Sequence, residues 1–418
     1  MKKITRRRFM KQMAGLSLCA LGGGAILSEL GCTAGAGTTE AAPASAASGP
    51  ASPYSREAMY YTSLKESGSL DCGSCHGTYE PSRVTYCHVD HNGNYVTCQL
   101  CPKRCVISEG HRGDCLVREN QNGKLYTMVF GNPCAVHIDP IEKKPFYHYL
   151  PTSSAFSIAT AGCNLHCLYC QNWTISQFPP EETTNYDLPP EKVVGYALAQ
   201  KCQSIAYTYS EPTAFYEYML TTARLARSKG IRNVVISAGY MNPAPVRELC
   251  RAVDAIKIDF KGFDEEFYEK VCFATLQPVL EAMKTIQKEG VHLEIVNLVV
   301  PTLNDSEDAL RGLCRWIMDN LGPDVPTHLN RFHPQYKLKN LPPTPVETLE
   351  RAHDIAKEEG INYAYIGNVP GHPANHTYCA NCGNLLIYRM GFAVMQYHLV
   401  NGKCKFCGNP IPGVWPSG

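Results

Sequence analysis

The sequence predicts an α/β fold, a partial TIM-type (β/α)6 barrel over residues 151–370. Runs with strand character alternate regularly with runs of helical period, which is typical of parallel strands joined by right-handed crossovers. No Gly-x-Gly-x-x-Gly follows any strand, and this favours a barrel over an open dinucleotide-binding sheet. The predicted strands are 156–160, 204–209, 233–237, 255–260, 293–300, 327–332 and 362–366. The predicted helices are 191–200, 214–229, 244–251, 276–289, 306–320 and 346–359.

The 418 residues are 44% hydrophobic and 18% charged, enough apolar material for two or three globular domains. The net charge of +1 gives no electrostatic reason to expect a nucleic-acid partner. The 21 cysteines fall mostly in short-spaced groups, a pattern that favours metal ligation over disulfides. The predicted regions are a signal and disordered linker (1–53), a cysteine-rich metal-binding domain (54–150), the barrel (151–370) and a zinc ribbon (371–418).

The N-terminal segment is typical of an export signal. Residues 5–11, Thr-Arg-Arg-Arg-Phe-Met-Lys, resemble the twin-arginine motif, and a basic cytosolic helix is the alternative. The apolar stretch 13–27 is short and contains glycines, so no transmembrane anchor is expected after processing. We therefore expect the twin-arginine export machinery as a partner and the periplasm or cell envelope as the location. Cys32 is a weaker candidate for lipid attachment, because Glu29 replaces the aliphatic residue of the usual lipobox.

Four cysteines directly before the barrel have the spacing of a structural metal site. We call Cys98, Cys101, Cys105 and Cys115 the N-terminal set. Zinc is favoured over a second iron–sulfur cluster, because a short segment without a core of its own needs a metal to fold.

Another group lies further upstream, at Cys72, Cys75 and Cys87. The Cys-x-x-Cys-His pattern at residues 72–76 is that of c-type haem attachment. A small zinc site completed by a histidine is favoured instead, since haem is attached to unfolded chains and the twin-arginine route exports folded ones.

A paired Cys-x-x-Cys pattern lies near the end of the chain. The C-terminal set consists of Cys379, Cys382, Cys404 and Cys407. A separation of about twenty residues between two such pairs is typical of a zinc ribbon. Few basic residues surround it, so a structural role is favoured over nucleic-acid binding.

The central set, Cys163, Cys167 and Cys170, follows the first predicted strand of the barrel. Three thiolates on one loop can hold three irons of a [4Fe–4S] cluster and leave the fourth iron open to another ligand. An electron-transfer cluster uses four protein ligands, so an open iron indicates catalysis. The alternative is a zinc knuckle with His166 as the fourth ligand.

The Cys-x3-Cys-x2-Cys motif, with an aromatic residue before its last cysteine, resembles the radical S-adenosylmethionine (radical SAM) superfamily. Together with the N-terminal set, residues 139–148 and residues 365–369, it resembles the AmmeMemoRadiSam-system enzymes, relatives of pyruvate formate-lyase activating enzymes. The resemblance covers about residues 95–418 and implies a [4Fe–4S] cluster and SAM as cofactors. By themselves, residues 139–144 are typical of a charged turn.

The resemblance implies roles for six polar residues near the ends of predicted strands, where barrel folds gather their chemistry. Ser210 and Glu211 stand in a variant of the family's Gly-Gly-Glu-Pro segment, which meets the amino group of SAM. A glutamate at a helix N-terminus is the alternative for Glu211. The other expected SAM ligands are Asp259 and Asn297. Lys261 and His333 are the candidate catalytic residues.

The resemblance implies reductive cleavage of SAM to a 5′-deoxyadenosyl radical, which abstracts a hydrogen atom from a substrate. Two kinds of substrate are expected from this resemblance. One is a partner protein on which a glycyl radical is generated, and the other is a small molecule or a peptide that is modified. The pattern specifies neither this substrate nor the electron donor that the reaction needs. The alternative is a non-catalytic, multi-metal redox or metal-handling protein of the cell envelope.

Overall fold

A computed structural model describes residues 52–63 and 94–416. Its centre is an eight-stranded sheet in which every strand pairs with its sequence neighbours, so β1 and β8 are the two edges. Strands β2 to β8 are parallel, and β1 runs antiparallel to β2. The strands are β1 Ala135–Pro140, β2 Ser154–Ala159, β3 Ser204–Tyr207, β4 Arg232–Ser237, β5 Ala255–Asp259, β6 His292–Val299, β7 Thr327–Arg331 and β8 Ala364–Gly367.

Each crossover between parallel strands contains one helix of eight or more residues, and shorter helical turns such as Trp173–Ser176 and Glu265–Phe267 lie beside them. The longer helices are α1 Pro190–Ala199, α2 Tyr216–Ser228, α3 Pro243–Cys250, α4 Gln277–Lys288, α5 Glu307–Leu321 and α6 Val346–Glu358. Pro190 and Pro243 occupy first helical positions, where a missing N–H costs no hydrogen bond. The Ser306 side chain caps α5 by accepting from Ala309 N at 3.3 Å. All seven predicted strands and all six predicted helices are therefore present, with ends that differ by a few residues.

Strand β1 was not predicted, whereas the turn that follows it, with a 3-10 helix at Ile141–Lys143, agrees with the charged turn predicted over residues 139–144. The strand pairs with β2 through the register Asp139↔Ala155 and His137↔Ser157. Most of its side chains are exposed or half-buried, so it lacks the apolar run by which the other strands are recognised. Tertiary pairing with β2, rather than local hydrophobicity, produces this strand.

The two faces of the parallel sheet have different cores. One face packs against the helices in a large apolar cluster. The other face is lined near the amino ends of the strands by small or branched residues such as Ala155, Ala206 and Val234, and the segment after β1 fills it with Phe146 and Tyr149. These two side chains fill the amino-end side of this face and leave the carboxyl ends of the strands open.

Small sheets flank the central one. Before it lie two three-stranded sheets, Arg56–Glu57 with Lys124–Thr127 and Arg118–Gln121, and Tyr61–Ser63 with Tyr95–Cys98 and Val106–Ser108. After it lie a three-stranded sheet and a two-stranded one, formed by Thr377–Tyr378, Leu385–Met390 and Ala393–Tyr397, and by Leu399–Val400 and Lys403–Cys404. Arg389, almost fully buried, joins this C-terminal region to the segment after β1 by donating to the Tyr147 carbonyl at 3.0 Å.

Within residues 52–63 and 94–416, no helix is both long enough and apolar enough to cross a lipid bilayer. The twin-arginine motif, Cys32 and the group Cys72, Cys75 and Cys87 lie outside the described residues. Their predicted roles stay predictions.

Candidate active site

A cavity of about 780 Å³ opens at the carboxyl ends of the parallel strands. Its volume is that of a pocket for a cofactor-sized ligand. Five of the six polar residues predicted near strand ends line it, together with the whole central set of cysteines. These lining residues are Cys163, Cys167, Cys170, Ser210, Glu211, Asp259, Lys261 and His333.

The central set lies on the loop between β2 and a short helix at Trp173–Ser176. Backbone bonds hold this loop against the segment before α4, with Leu168 N donating to Val271 O at 2.9 Å and His166 N donating to Cys272 O at 3.1 Å. Burial raises the pKa of the Cys163 thiol well above its usual value. A bound metal centre is therefore needed to stabilise three thiolates here.

His166 does not face the cysteines between which it stands. Its Nε2 lies 2.9 Å from Asp114 Oδ2, and its Nδ1 lies 2.7 Å from Gln177 Oε1. Because both ring nitrogens have protein partners, His166 is not the fourth ligand of a zinc knuckle. The three thiols therefore face the cavity without a fourth protein ligand from this loop.

Glu211 joins the ends of β3 and β4. Its carboxylate accepts hydrogen bonds from Thr213 Oγ1 at 2.7 Å, Ser237 Oγ at 2.6 Å and the backbone N–H of Ala238 at 2.8 Å. Helix α2 begins only at Tyr216, so Glu211 is not an acid of its first turn. Ser210, beside it, donates to the Thr160 carbonyl at 2.7 Å.

Tyr209 occupies the place of a glycine in the family's segment, and its backbone has φ +69°. This left-handed conformation is one that glycine adopts at little cost. The side chain offsets the cost of this backbone conformation, because its phenol donates a hydrogen bond to Asp139 on β1. Asn172 of the cysteine loop donates to the Tyr209 carbonyl at 2.7 Å, which couples the two segments.

Three charged residues of β5 and its end form one ion-pair group in the cavity. Lys257 Nζ lies 2.7 Å from Asp259 Oδ1, and Lys261 Nζ lies 3.4 Å from Asp259 Oδ2. Burial opposes ionisation of Asp259, but the two ammonium groups outweigh it and lower the pKa of this carboxyl to about 2. Asp259 is therefore a carboxylate at neutral pH.

The region that carries this site matches a known protein family. The family model of the radical SAM superfamily matches residues 157–316, which include the central set, Glu211 and Asp259. The uncharacterised protein MJ0808 of Methanocaldococcus jannaschii is 49% identical over 320 residues, which cover 76% of this chain and 95% of that protein. The chain belongs to the radical SAM superfamily.

Two other relatives are more distant. The pyruvate formate-lyase 1-activating enzyme of Escherichia coli K12 is 26% identical over 215 residues, covering 48% of this chain and 87% of that enzyme. Among solved structures, a radical SAM methyltransferase from Sphaerobacter thermophilus is 15% identical over 51% of this chain and 66% of its own, with a TM-score of 0.40. The protein is a radical SAM enzyme, and membership in this superfamily implies a [4Fe–4S] cluster and SAM.

The cavity of this radical SAM enzyme fits these two groups. The central set supplies three thiols, and the cavity beside them accommodates a ligand of the size of SAM. Asn330, which also lines the cavity, has a buried side-chain oxygen without a hydrogen-bond partner. An unpaired buried acceptor is costly, so a donor group of a bound ligand would stabilise it.

Asn297 is a correction to the sequence prediction. Its neighbours Val296 and Leu298 line the cavity, whereas the Asn297 amide donates to the Phe260 carbonyl at 2.8 Å. Successive strand residues point to opposite faces, and Asp259 pairs in register with Val296. Asn297 therefore faces the helix layer, and it is not a SAM ligand in this arrangement.

Sequence reasoning missed several residues that line the cavity. They are Lys144, Lys257, His328, Asn330 and Asn368. His328 and Asn330 lie in register with Val296 and Leu298, so the alternation along β7 could have identified them once the facing of β6 was known. Lys144 had no such signal, because it enters the cavity from the segment after β1. His333 lies at the exposed rim.

The two flanking cysteine sets differ in spacing. In the C-terminal set all four sulfur atoms lie within 4.8 Å of one another, and the Cys379–Cys407 and Cys382–Cys404 sulfur pairs are 3.7 Å apart. The N-terminal set instead surrounds a small buried cavity beside the loop of the central set.

Proposed function

We propose that this enzyme cleaves SAM reductively and uses the product radical to abstract a hydrogen atom from a substrate. The observation that carries the proposal is that three thiols, without a fourth ligand from their loop, face a cavity of about 780 Å³. When bound, a [4Fe–4S] cluster supplies the electron for breaking a C–S bond of SAM and an open iron for holding its methionine part.

The remaining cavity residues would bind and orient SAM. Asp259, ionised at neutral pH, is an acceptor for the cationic amino group or a ribose hydroxyl, and Lys261 beside it is a donor for a carboxylate. Glu211 would act by holding the turn after β4 against β3, since its oxygens already accept bonds from Thr213, Ser237 and Ala238. His333 at the rim is the candidate to contact the substrate itself.

For the substrate, we favour a partner protein on which a glycyl radical is generated. The distant likeness to pyruvate formate-lyase activating enzymes supports this choice. The tip of a C-terminal hairpin supports it too, because Gly391 and Phe392 line the cavity while Met390, Phe392 and Met395 are exposed apolar side chains. Such a patch at the mouth of a site is typical of a surface that meets a polypeptide.

The substrate proposal can be tested at Phe392. The F392S variant should lose most of the glycyl-radical EPR signal on a partner protein while keeping uncoupled SAM cleavage. The matched control is F406S, since Phe406 is equally exposed but does not line the cavity. Equal radical yield in both variants would contradict a polypeptide docked on this hairpin.

We also propose zinc in the C-terminal set. Four thiolates around zinc at about 2.3 Å would place their sulfur atoms about 3.8 Å apart, and the distance of 3.7 Å in this structure agrees with that geometry.

We also propose export by the twin-arginine route. Cell fractionation of the wild type and of an R6K/R7K variant would test it. A variant that reaches the envelope as well as the wild type would contradict it.

The central proposal is tested by anaerobic reconstitution, reduction with dithionite and an assay for 5′-deoxyadenosine. The wild type should cleave SAM, and C163A should not. The matched control is C250A, which removes a buried thiol that lies on α3 outside the cavity. Full cleavage by C163A would contradict the assignment of the central set.

A further inference from the structure

We propose that the N-terminal set, Cys98, Cys101, Cys105 and Cys115, holds a second iron–sulfur cluster that relays electrons to the catalytic one. Its role as a relay rests on the proposed function, whereas its occupancy by iron does not. This assignment replaces the zinc that sequence spacing favours for these cysteines.

The first argument is space. The four cysteines line a buried cavity of about 20 Å³, and about 10 to 15 Å³ is enough to hold a water molecule. A single zinc ion bound by four thiolates at about 2.3 Å leaves no such room, because the sulfur atoms then touch one another. The four thiols therefore surround an interior space that closed tetrahedral zinc geometry would not leave.

The second argument is the spacing of the sulfur atoms. Among residues 52–63 and 94–416, the C-terminal set is the one group of metal-ligating side chains whose ligand atoms all lie within 4.8 Å of one another. Neither the N-terminal set nor the central set forms such a group among these described residues. The N-terminal set therefore resembles the set assigned to a cluster and differs from the set with zinc geometry.

The third argument is a polar group that lacks a partner. Arg118 lines the cavity, and its side chain is only 2% exposed. Its Nη1 donates to the Met59 carbonyl at 3.3 Å and its Nη2 pairs with Glu217, but its Nε has no hydrogen-bond partner. A buried N–H without an acceptor is costly. A thiolate or sulfide of an anionic cluster would supply the acceptor that Nε lacks.

The position of the cavity indicates what the cluster would do. A side chain on Gly162, the residue before Cys163, would meet the Cys115 carbonyl at 2.5 Å, so the two ligand loops are in direct contact. Asn164 lines the same cavity. Asp114, beside Cys115, contacts His166 at 2.9 Å. Metal centres held by these two contacting loops would therefore be neighbours, as an electron relay requires.

The relay moves one electron and no atoms. A one-electron carrier protein, or dithionite in the assay, would reduce the second cluster from the 2+ to the 1+ state. That cluster would return to 2+ as it reduces the catalytic cluster, so no bond forms or breaks at the N-terminal set.

Occupancy is tested on the full chain by counting iron and zinc after anaerobic reconstitution. We expect the C101A/C105A variant to lose about four irons, and no zinc, relative to the wild type. It should keep the EPR signal that changes when SAM is added. A C163A/C167A/C170A variant should lose that signal and keep one that SAM does not affect. Loss of one zinc without loss of iron in C101A/C105A would overturn the second cluster.

The relay is tested with a variant that keeps all cysteines. R118K retains a positive charge but removes the Nε donor, and fewer hydrogen bonds to cluster sulfur lower a reduction potential. We expect the midpoint potential of the SAM-insensitive signal to become more negative, that of the SAM-responsive signal to stay unchanged, and reduction of the catalytic cluster to slow at least threefold. An unchanged reduction rate despite the shifted potential would overturn the relay. Absence of cleavage in a protein that still shows both signals would count against the proposed function instead.

Discussion

The phenol of Tyr209 donates a hydrogen bond to the carboxylate of Asp139, and this bond ties the left-handed turn after β3 to edge strand β1. Asp139 also accepts from Lys144 Nζ at 2.5 Å and from Ser157 Oγ at 3.0 Å. The segment expected to meet SAM is thus held by a strand 70 residues earlier in the chain.

Loss of that bond should weaken the cavity. In Y209F, the carboxylate loses one donor while the strained backbone remains, so we expect about 1 kcal/mol less stability and a severalfold weaker affinity for SAM. Denaturant unfolding and SAM titration measure the two effects. The control is Y378F, because Tyr378 donates only a long 3.4 Å bond at the surface. Equal effects in both variants would contradict an anchoring role.

Glu211 should be sensitive to the loss of an acceptor. In E211Q, an NH2 group replaces one of the oxygens that receive bonds from Thr213, Ser237 and Ala238, so two donors face each other. We expect a loss of about 2 kcal/mol in stability and at least a tenfold loss of SAM cleavage. E281Q, on the surface of α4, should change neither quantity, and wild-type cleavage by E211Q would rule out the positioning role.

His148 should make the protein sensitive to acid. This fully buried ring donates from Nδ1 to the Pro412 carbonyl at 2.6 Å and accepts at Nε2 from the Tyr365 hydroxyl at 2.6 Å. Burial lowers its pKa from 6.5 to about 3. Between these values the unfolded chain binds a proton that the folded chain does not, so stability is full above pH 6.5 and falls as the pH drops towards 3.

The measurement is urea unfolding of the wild type and H148Q at several pH values between 7.5 and 4.5. The stability difference between them should shrink by up to about 1.4 kcal/mol per pH unit below 6.5. The H398Q variant, at a half-buried position in the C-terminal region, should follow the wild type. A pH-independent difference for H148Q would show that folding does not lower the pKa of this ring.

Removal of zinc should increase hydrogen exchange in the C-terminal region and should leave the iron content of the central set unchanged. We expect C382S to lose one zinc per chain and to expose the hairpin that carries Arg389, whose guanidinium lies 3.9 Å from the centre of the Tyr147 ring. Elemental analysis and hydrogen exchange of residues 377–404 measure both outcomes. C314S, a buried thiol on α5, is the control. Unchanged zinc in C382S would contradict zinc in this set.

Local sequence patterns predicted most of the strands and helices of this protein and several of its candidate sites. The period-two and period-3.6 patterns of apolar residues identified seven strands and six helices. They could do so because the buried faces of an element determine the spacing of its apolar residues along the chain. The spacing of the central set and of the C-terminal set indicated metal chemistry, since their ligands lie on short segments. The polar strand ends identified Glu211, Asp259, Lys261 and His333, because parallel strands place all their carboxyl ends on one side.

Only the tertiary structure decided which of these residues meet. Strand register turned Asn297 away from the cavity and Asn330 towards it, and register depends on pairing between strands rather than on either sequence. Strand β1 forms without an apolar run, and its Asp139 accepts a hydrogen bond from Tyr209, which lies 70 residues later in the chain. Packing between segments that are distant in sequence places the N-terminal set beside Arg118 and beside the loop of the central set. Spacing alone therefore favoured zinc there, whereas the space and the unpaired Arg118 donor indicate a cluster.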